Sequence, residues 1–365
     1  MKTIGIIGAG QLGMMIAEEA KVLGAYVIAY DPSSSSPAFK IVDEYIVAPF
    51  DDMNSLELLC QRCDVVTYEF ENIPAQVLMP LCEKYNIKQG YSQLLDSQDR
   101  LREKSQAKAH GLQTPAFIAV STDDSLLDAV KEIGMPCVLK SRTLGYDGHG
   151  QCVIRSQEDL EKAFGLLSVP CILEEFINFD FEISTIIVRG DDSSSIVFPM
   201  GRNVHRQGIL DLSIVPAGIS EELHAKIERQ SKQFMEECNY HGILTIEYFV
   251  RGEEVIFNEM APRPHNSGHY TIEGCNTSQF RELVRYLLDI PLEEPKLVAP
   301  TIMKNILGED LGAAEHIIEE GAPEGCYVHI YGKDESKPKR KMGHITFVGM
   351  DHEGYLQEWA SRFVE

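Results

Sequence analysis

The chain has 365 residues, 44% hydrophobic and 24% charged, an ordinary globular balance for a chain too long for one small core. A formal net charge of −23 argues against a nucleic-acid partner, because phosphate backbones need a basic face. No apolar run approaches the roughly 20 residues that span a bilayer, and glycines interrupt the short apolar run at the N-terminus, so no membrane or secretory segment is expected. Nine cysteines, an odd number scattered among apolar stretches, point to reduced thiols and a cytoplasmic location.

The first hundred residues alternate strands (2–8, 25–30, 65–70) with helices (12–23, 56–60, 75–85), the pattern of βαβ units around a parallel sheet. The turn Gly8-Ala9-Gly10-Gln11-Leu12-Gly13 joins the first strand to the first helix, where backbone N–H groups favour an anion. Asp31 follows where the ribose-binding acid of a dinucleotide site belongs, so an oxidoreductase is one reading of this stretch. Cys60 and Cys63 form a C-x-x-C at a predicted helix end, with no second pair to complete a zinc site, and read as structural thiols.

A helix is predicted from near Ser97 to His110, stopped by Gly111. From Pro115 the texture becomes α+β, with strands over 116–120, 137–141, 151–155, 171–177 and 181–188 and helices near 123–133 and 157–167. A helix over 221–238, a strand pair over 243–250 and 255–260, and a helix over 278–288 follow. The tail from Pro291 has short apolar runs separated by Gly and Pro, and is expected to be mostly β.

Five stretches carry chemistry-bearing residues. Gly145, Gly148 and Gly150 lie in a loop between two strands, with Lys140 ending the first. Glycines let N–H groups approach phosphate oxygens and the lysine adds charge, while a plain hairpin is the other reading. Glu247 and Glu259 lie on two strands joined by a tight turn. Glu247 falls opposite Asn258 if Val250 faces Val255, or opposite Glu259 if the turn is one residue longer. Carboxylates so close need a neutralising ion, and Mg²⁺ is the natural one. Glu174, Glu175 and Glu182 end or flank strands, where exposed edge glutamates are the plainer reading. Arg263, His265, Asn266, His269 and Thr271 crowd a polar loop directly after Glu259, a candidate site wall; zinc ligation by the histidines lacks a third ligand close by. Lys333, Lys339, Arg340, Lys341 and His344 suit a phosphate monoester in an otherwise acidic chain.

Taken in order, GAGQLG, YEFENI, QDRLREK, GYDGHGQ, EEFINFDFE, NEMAPRPHNSGHYTIE and KRKMGHI resemble the ATP-grasp ligases over nearly the whole chain. Within them, the chain is similar to the biotin-independent carboxylases of purine ribonucleotide synthesis. The resemblance implies an α/β and α+β architecture: an ATP-grasp fold with a Rossmann-like N-terminal domain over 1–97, an ATP-grasp domain over 98–290 with a lid near 115–180, and a small, mostly β C-terminal domain over 291–365. It also implies that ATP, bicarbonate and 5-aminoimidazole ribonucleotide are joined through carboxyphosphate, with Mg²⁺ or Mn²⁺, and a homodimer.

By the same resemblance, Arg100 and Lys140 hold ATP phosphates under a lid of Gly145, Tyr146, Asp147, Gly148, His149, Gly150 and Gln151. Glu174, Glu175, Phe176 and Ile177 line the adenine, Glu182 binds the ribose and His205 contacts ATP. Glu247 and Glu259 hold the metal with Asn258 beside them. Tyr146, Asp147 and His269 serve catalysis and substrate, and Gln11, Glu71, Lys333, Arg340 and Lys341 contact the ribonucleotide. His149 departs from the Lys or Arg expected there; a neutral imidazole weakens any permanent charge at that position. The rivals are a formate-dependent glycinamide ribonucleotide transformylase, a biotin-dependent carboxylase (for which no biotinylation segment is present), and the oxidoreductase suggested by the glycine turn.

Overall fold

The computed structural model describes residues 1–143, 145 and 150–363. Three consecutive stretches of chain form three sheets. In the first, β1 (Thr3–Ile7), β2 (Tyr26–Asp31), β3 (Glu44–Val47) and β4 (Val65–Tyr68) pair in parallel in the order β3-β2-β1-β4. Near-continuous apolar runs make β1, β2 and β4, as expected of strands covered on both faces. β3 lacked that signal because it is an edge strand that leaves Tyr45 and Val47 exposed.

The second sheet is antiparallel, in the order β5-β8-β6-β7, from β5 (Phe117–Val120), β6 (Cys137–Ser141), β7 (Gln151–Ile154) and β8 (Cys171–Glu175). Helix Asp123–Ile133 and the short helix Leu160–Phe164 bury Leu126, Ala129, Leu160 and Ala163 against it.

The third sheet has nine strands: β9 (Phe181–Arg189), β10 (Ser195–Val197), β11 (Gly201–Arg206), β12 (Ile209–Val215), β13 (Gly242–Arg251), β14 (Glu254–Ala261), β15 (Thr301–Leu307), β16 (Cys326–Ile330) and β17 (Lys341–Val348). Their order is β14-β13-β9-β11-β12-β15-β17-β16, with β10 on β9. β12 pairs with β15 from Leu212↔Lys304 to Val215↔Thr301, so the sheet runs unbroken past residue 290. The tail is not mostly β: it holds helices Leu311–Glu320 and His352–Glu358, which bury Ala314, Ile317 and Tyr355 on its strands.

The helix expected from Ser97 is two helices, Ser92–Ser97 and Arg100–Ala109. Asp99 is extended between them and accepts the Leu101 N–H at 2.9 Å, an N-cap that starts a new helix. One apolar core joins the first sheet to the third, with Ile4, Met15 and Ile16 packed among Ile186, Phe280, Leu283 and Tyr331.

Candidate active site

Helix Arg100–Ala109 presents Arg100, Glu103 and Lys104, spaced i, i+3 and i+4, on one face. Lys104 is fully buried, with its Nζ 3.2 Å from Glu174 Oε1 and donating to the Asn258 carbonyl at 2.8 Å. Lys140, near the end of β6, donates to Glu174 Oε2 at 2.8 Å. Glu174 is therefore no exposed edge glutamate. Burial raises its carboxyl, but Lys104 and Lys140 outweigh it and hold the group down to about 2. Burial lowers the Lys140 ammonium, opposed by Glu174. Sequence reading missed Lys104; its i+4 spacing from Arg100 was the available signal.

β13 and β14 pair with Val250↔Val255 and Tyr248↔Phe257, and a bulge then brings Glu247 opposite Glu259. The turn has the shorter length, yet the two carboxylates still meet, because Asn258 is the extra residue on β14. Burial and the neighbouring Glu259 push the Glu247 carboxyl up to about 8. Burial acts the same way on Glu259, but Arg100 and Lys140 hold it below its ordinary value. Arg100 reaches Glu259 Oε2 at 3.2 Å and the Gly145 carbonyl at 3.4 Å. Behind them Glu103 accepts the Met260 N–H at 2.6 Å, its own carboxyl pushed up to about 8 by burial.

Glu182 on β9 pairs with His205 on β11; burial lowers the imidazole, but the carboxylate wins and its pKa lies above the ordinary value. Glu175 is exposed, Phe176 lies 4.9 Å from the Arg155 guanidinium and Ile177 is buried. Lys140 and Gln151 face each other across β6 and β7, so the glycine loop connects two paired strands. Tyr146, Asp147, Gly148 and His149 lie outside the described residues, while exposed Gly150 has φ +73.

After β14, Arg263 pairs with Glu71, and His265 Nε2 stands 3.5 Å from Glu247 Oε1. The Gln279 amide clamps the loop, accepting the His265 N–H at 2.9 Å and donating to the His265 carbonyl at 2.8 Å. Among the described residues, neither polar atom of the buried Asn266 amide has a partner. His269, expected to serve catalysis and substrate, has no exposed surface, and its ring stands 4.7 Å from His344 and 5.8 Å from Phe280. Burial, then nearby His329, pushes it down to about 3.

Gln11 opens helix Gln11–Val22. Lys333 donates to the Lys341 carbonyl at 2.7 Å, and burial with nearby Arg340 and Lys341 pushes its ammonium down to about 8. Arg340 is exposed and Lys341 starts β17. Cys60 and Cys63 are free thiols at a helix end, both pushed up to about 12 by burial. Among the described residues no group of three or more His, Cys, Asp or Glu side chains is disposed to hold a metal.

Residues 1–95 match the ribonucleotide synthetase preATP-grasp domain, 105–280 the ATP-grasp domain, and 301–358 the phosphoribosylaminoimidazole carboxylase C-terminal domain. The chain is 41% identical over 364 residues to N5-carboxyaminoimidazole ribonucleotide synthase of Staphylococcus aureus (strain COL), covering 99% of this chain and 96% of the relative. The S. aureus enzyme solved with ADP superposes with a TM-score of 0.95 at 40% identity, covering 100% and 97% of the two chains. The Aspergillus clavatus enzyme solved with ADP and 5-aminoimidazole ribonucleotide gives 0.90 at 29% identity, covering 98% and 96%. The chain belongs to the N5-carboxyaminoimidazole ribonucleotide synthetase family of the ATP-grasp ligases.

Proposed function

We infer that this chain is the ligase that carboxylates 5-aminoimidazole ribonucleotide with bicarbonate at the expense of ATP, in purine biosynthesis. The observation that carries the reading is the enclosed set of Arg100, Lys104 and Lys140, wired to Glu174 and Glu259 beside the register-paired Glu247. Fixed cations and carboxylates of this kind neutralise phosphate charge without reorganising.

Arg100 and Lys140 bind the ATP phosphates, with Gly145, Gly150 and Gln151 at the edge of the lid. Ile177 and Phe176 line the adenine, and Glu182 and His205 hold the ribose end. Glu174 acts through the two lysines it pairs. A bicarbonate oxygen attacks the γ-phosphorus, the bond to ADP breaks and carboxyphosphate forms. The exocyclic amine of the aminoimidazole then takes the carboxyl carbon, phosphate leaves and the amine loses a proton, a step assigned to Asp147 with Tyr146 beside it. Gln11 and Glu71 meet the ribonucleotide, whose 5′-phosphate is gripped by Lys333, Arg340 and Lys341.

Mg²⁺, or Mn²⁺ in its place, suits Glu247 and Glu259 with the Asn258 amide oxygen, a hard ion on two carboxylates and substrate phosphates that would neutralise charge on the transferred group. Burial and the nearby Glu259 carboxylate, which together raise Glu247, support this assignment. The proposal includes a cytoplasmic location, supported by nine free thiols, and a homodimer, tested by sedimentation. The central test is phosphate release from ATP with and without aminoimidazole ribonucleotide plus bicarbonate. Stimulation by that pair is expected; stimulation by formate with glycinamide ribonucleotide instead would overturn the reading.

A further inference from the structure

The glycine turn is already occupied. The Gly10 N–H donates to Glu69 Oε1 at 2.9 Å, and the Ala9 N–H donates to Asp31 Oδ2 at 2.9 Å. Asp31 Oδ1 also accepts from the Ser33 N–H at 2.9 Å and the Ser36 hydroxyl at 2.7 Å, so that carboxylate is fixed. Glu69 is 7% exposed, one residue past β4, and packs against Gly8 and Gly10. A Cβ on Gly8 would stand 2.7 Å from Glu69 Cγ and one on Gly10 3.0 Å from Oε1, whereas one on Gly13 would first meet the Gly8 carbonyl oxygen at 2.7 Å. Backbone N–H groups that meet phosphate in a dinucleotide site here meet two carboxylates of the chain itself. The cations acting on Glu69 are Arg263 and Lys333, and Glu71, two residues further on, pairs with the same Arg263.

We propose that Glu69 is a positioning and specificity-determining residue: its carboxylate fills the anion place of the glycine turn, closing it to phosphate and fixing it as the wall that meets the uncharged, hydroxyl-bearing part of the ribonucleotide. A phosphate brought to this turn meets two carboxylates, whereas a ribose hydroxyl can donate to them. The 5′-phosphate is thereby directed away from the turn, to the basic residues of the C-terminal strands. The part concerning substrate rests on the functional reading above; the part concerning the turn does not.

The test uses full-length protein carrying Glu69→Ala, Glu69→Gln or Gly10→Ala. Hydrogen exchange at the Gly10 amide is expected to speed at least tenfold in Glu69→Ala and to stay slow in Glu69→Gln, whose amide oxygen can accept the same bond. With the ATP site filled by a non-hydrolysable analogue, dialysis against inorganic pyrophosphate should show at least tenfold tighter binding to Glu69→Ala than to wild type, and no gain in Glu69→Gln, whose amide still occupies the Gly10 N–H. In turnover, Glu69→Ala and Gly10→Ala should raise KM for the ribonucleotide at least tenfold and KM for ATP less than twofold. Unchanged Gly10 exchange or no gain of pyrophosphate binding in Glu69→Ala, or equal movement of both KM values, would each overturn the proposal. If Glu69→Ala does not fold, Glu69→Ser takes its place in the exchange and dialysis arms, and Gly10→Ala decides the turnover arm. Absence of ribonucleotide stimulation in wild type would remove the functional reading, while the exchange and dialysis arms would still judge the turn.

Discussion

A lysine with no exposed surface is rare unless paired, and Lys104 is held by Glu174 and the Asn258 carbonyl. Lys104→Met leaves Glu174 with Lys140 alone and is expected to cost about 3 kcal/mol in urea unfolding, the scale for breaking a buried pair. The same cluster makes stability pH-dependent with a definite sign. Glu174 binds its proton near 4.5 when free and near 2 when folded. The unfolded chain therefore takes up the proton first, and the stabilisation, full above about 4.5, is lost as pH falls toward 2. Melting curves of wild type should fall more steeply through that window than those of Glu174→Gln. Glu259→Gln is expected to lose Mg²⁺-dependent turnover while still folding, and unchanged turnover would remove the metal assignment. Arg340 is exposed, so Arg340→Ala should raise KM for the ribonucleotide more than it lowers kcat, as a phosphate grip requires.

Among the elements, the Asp99 cap and the β14 bulge do most to place these side chains. Asp99 starts the helix bearing Arg100 and Lys104, and also binds Arg142 Nε at 3.0 Å. Asp99→Ala should lose about 1 kcal/mol from the cap, read in urea unfolding, and raise KM for ATP by disordering the helix start. Most strands and helices near the site were legible from apolar runs and turn residues, including the strand pair carrying Glu247 and Glu259. The β11–β12 hairpin that carries His205 was not, since β11 mixes polar and apolar residues. Its turn at Gln207 and Gly208 is marked only by positive φ values of 52 and 80. The bulge was equally invisible, because spacing alone assumes a regular ladder.

In the whole molecule, the nine-stranded sheet binds the C-terminal segment to the middle of the chain through β12 and β15. Truncation after Ile290 strips β15 from β12 and opens a long edge, so the shortened chain is expected to aggregate; monodisperse, folded protein by light scattering would contradict this. The sequence by itself determined the βαβ start, the strands flanking the glycine loop, the candidate phosphate and metal residues and the family resemblance, because these rest on local periodicity, glycine spacing and motif order. Only the tertiary structure decided that Lys104 joins Lys140 on Glu174, that Glu247 meets Glu259 across a bulge, that His269 is enclosed, and that Glu69 accepts the Gly10 N–H of the glycine turn. Each of those depends on residues far apart in the chain meeting in space, where burial and charge, rather than spacing, set what a side chain can do.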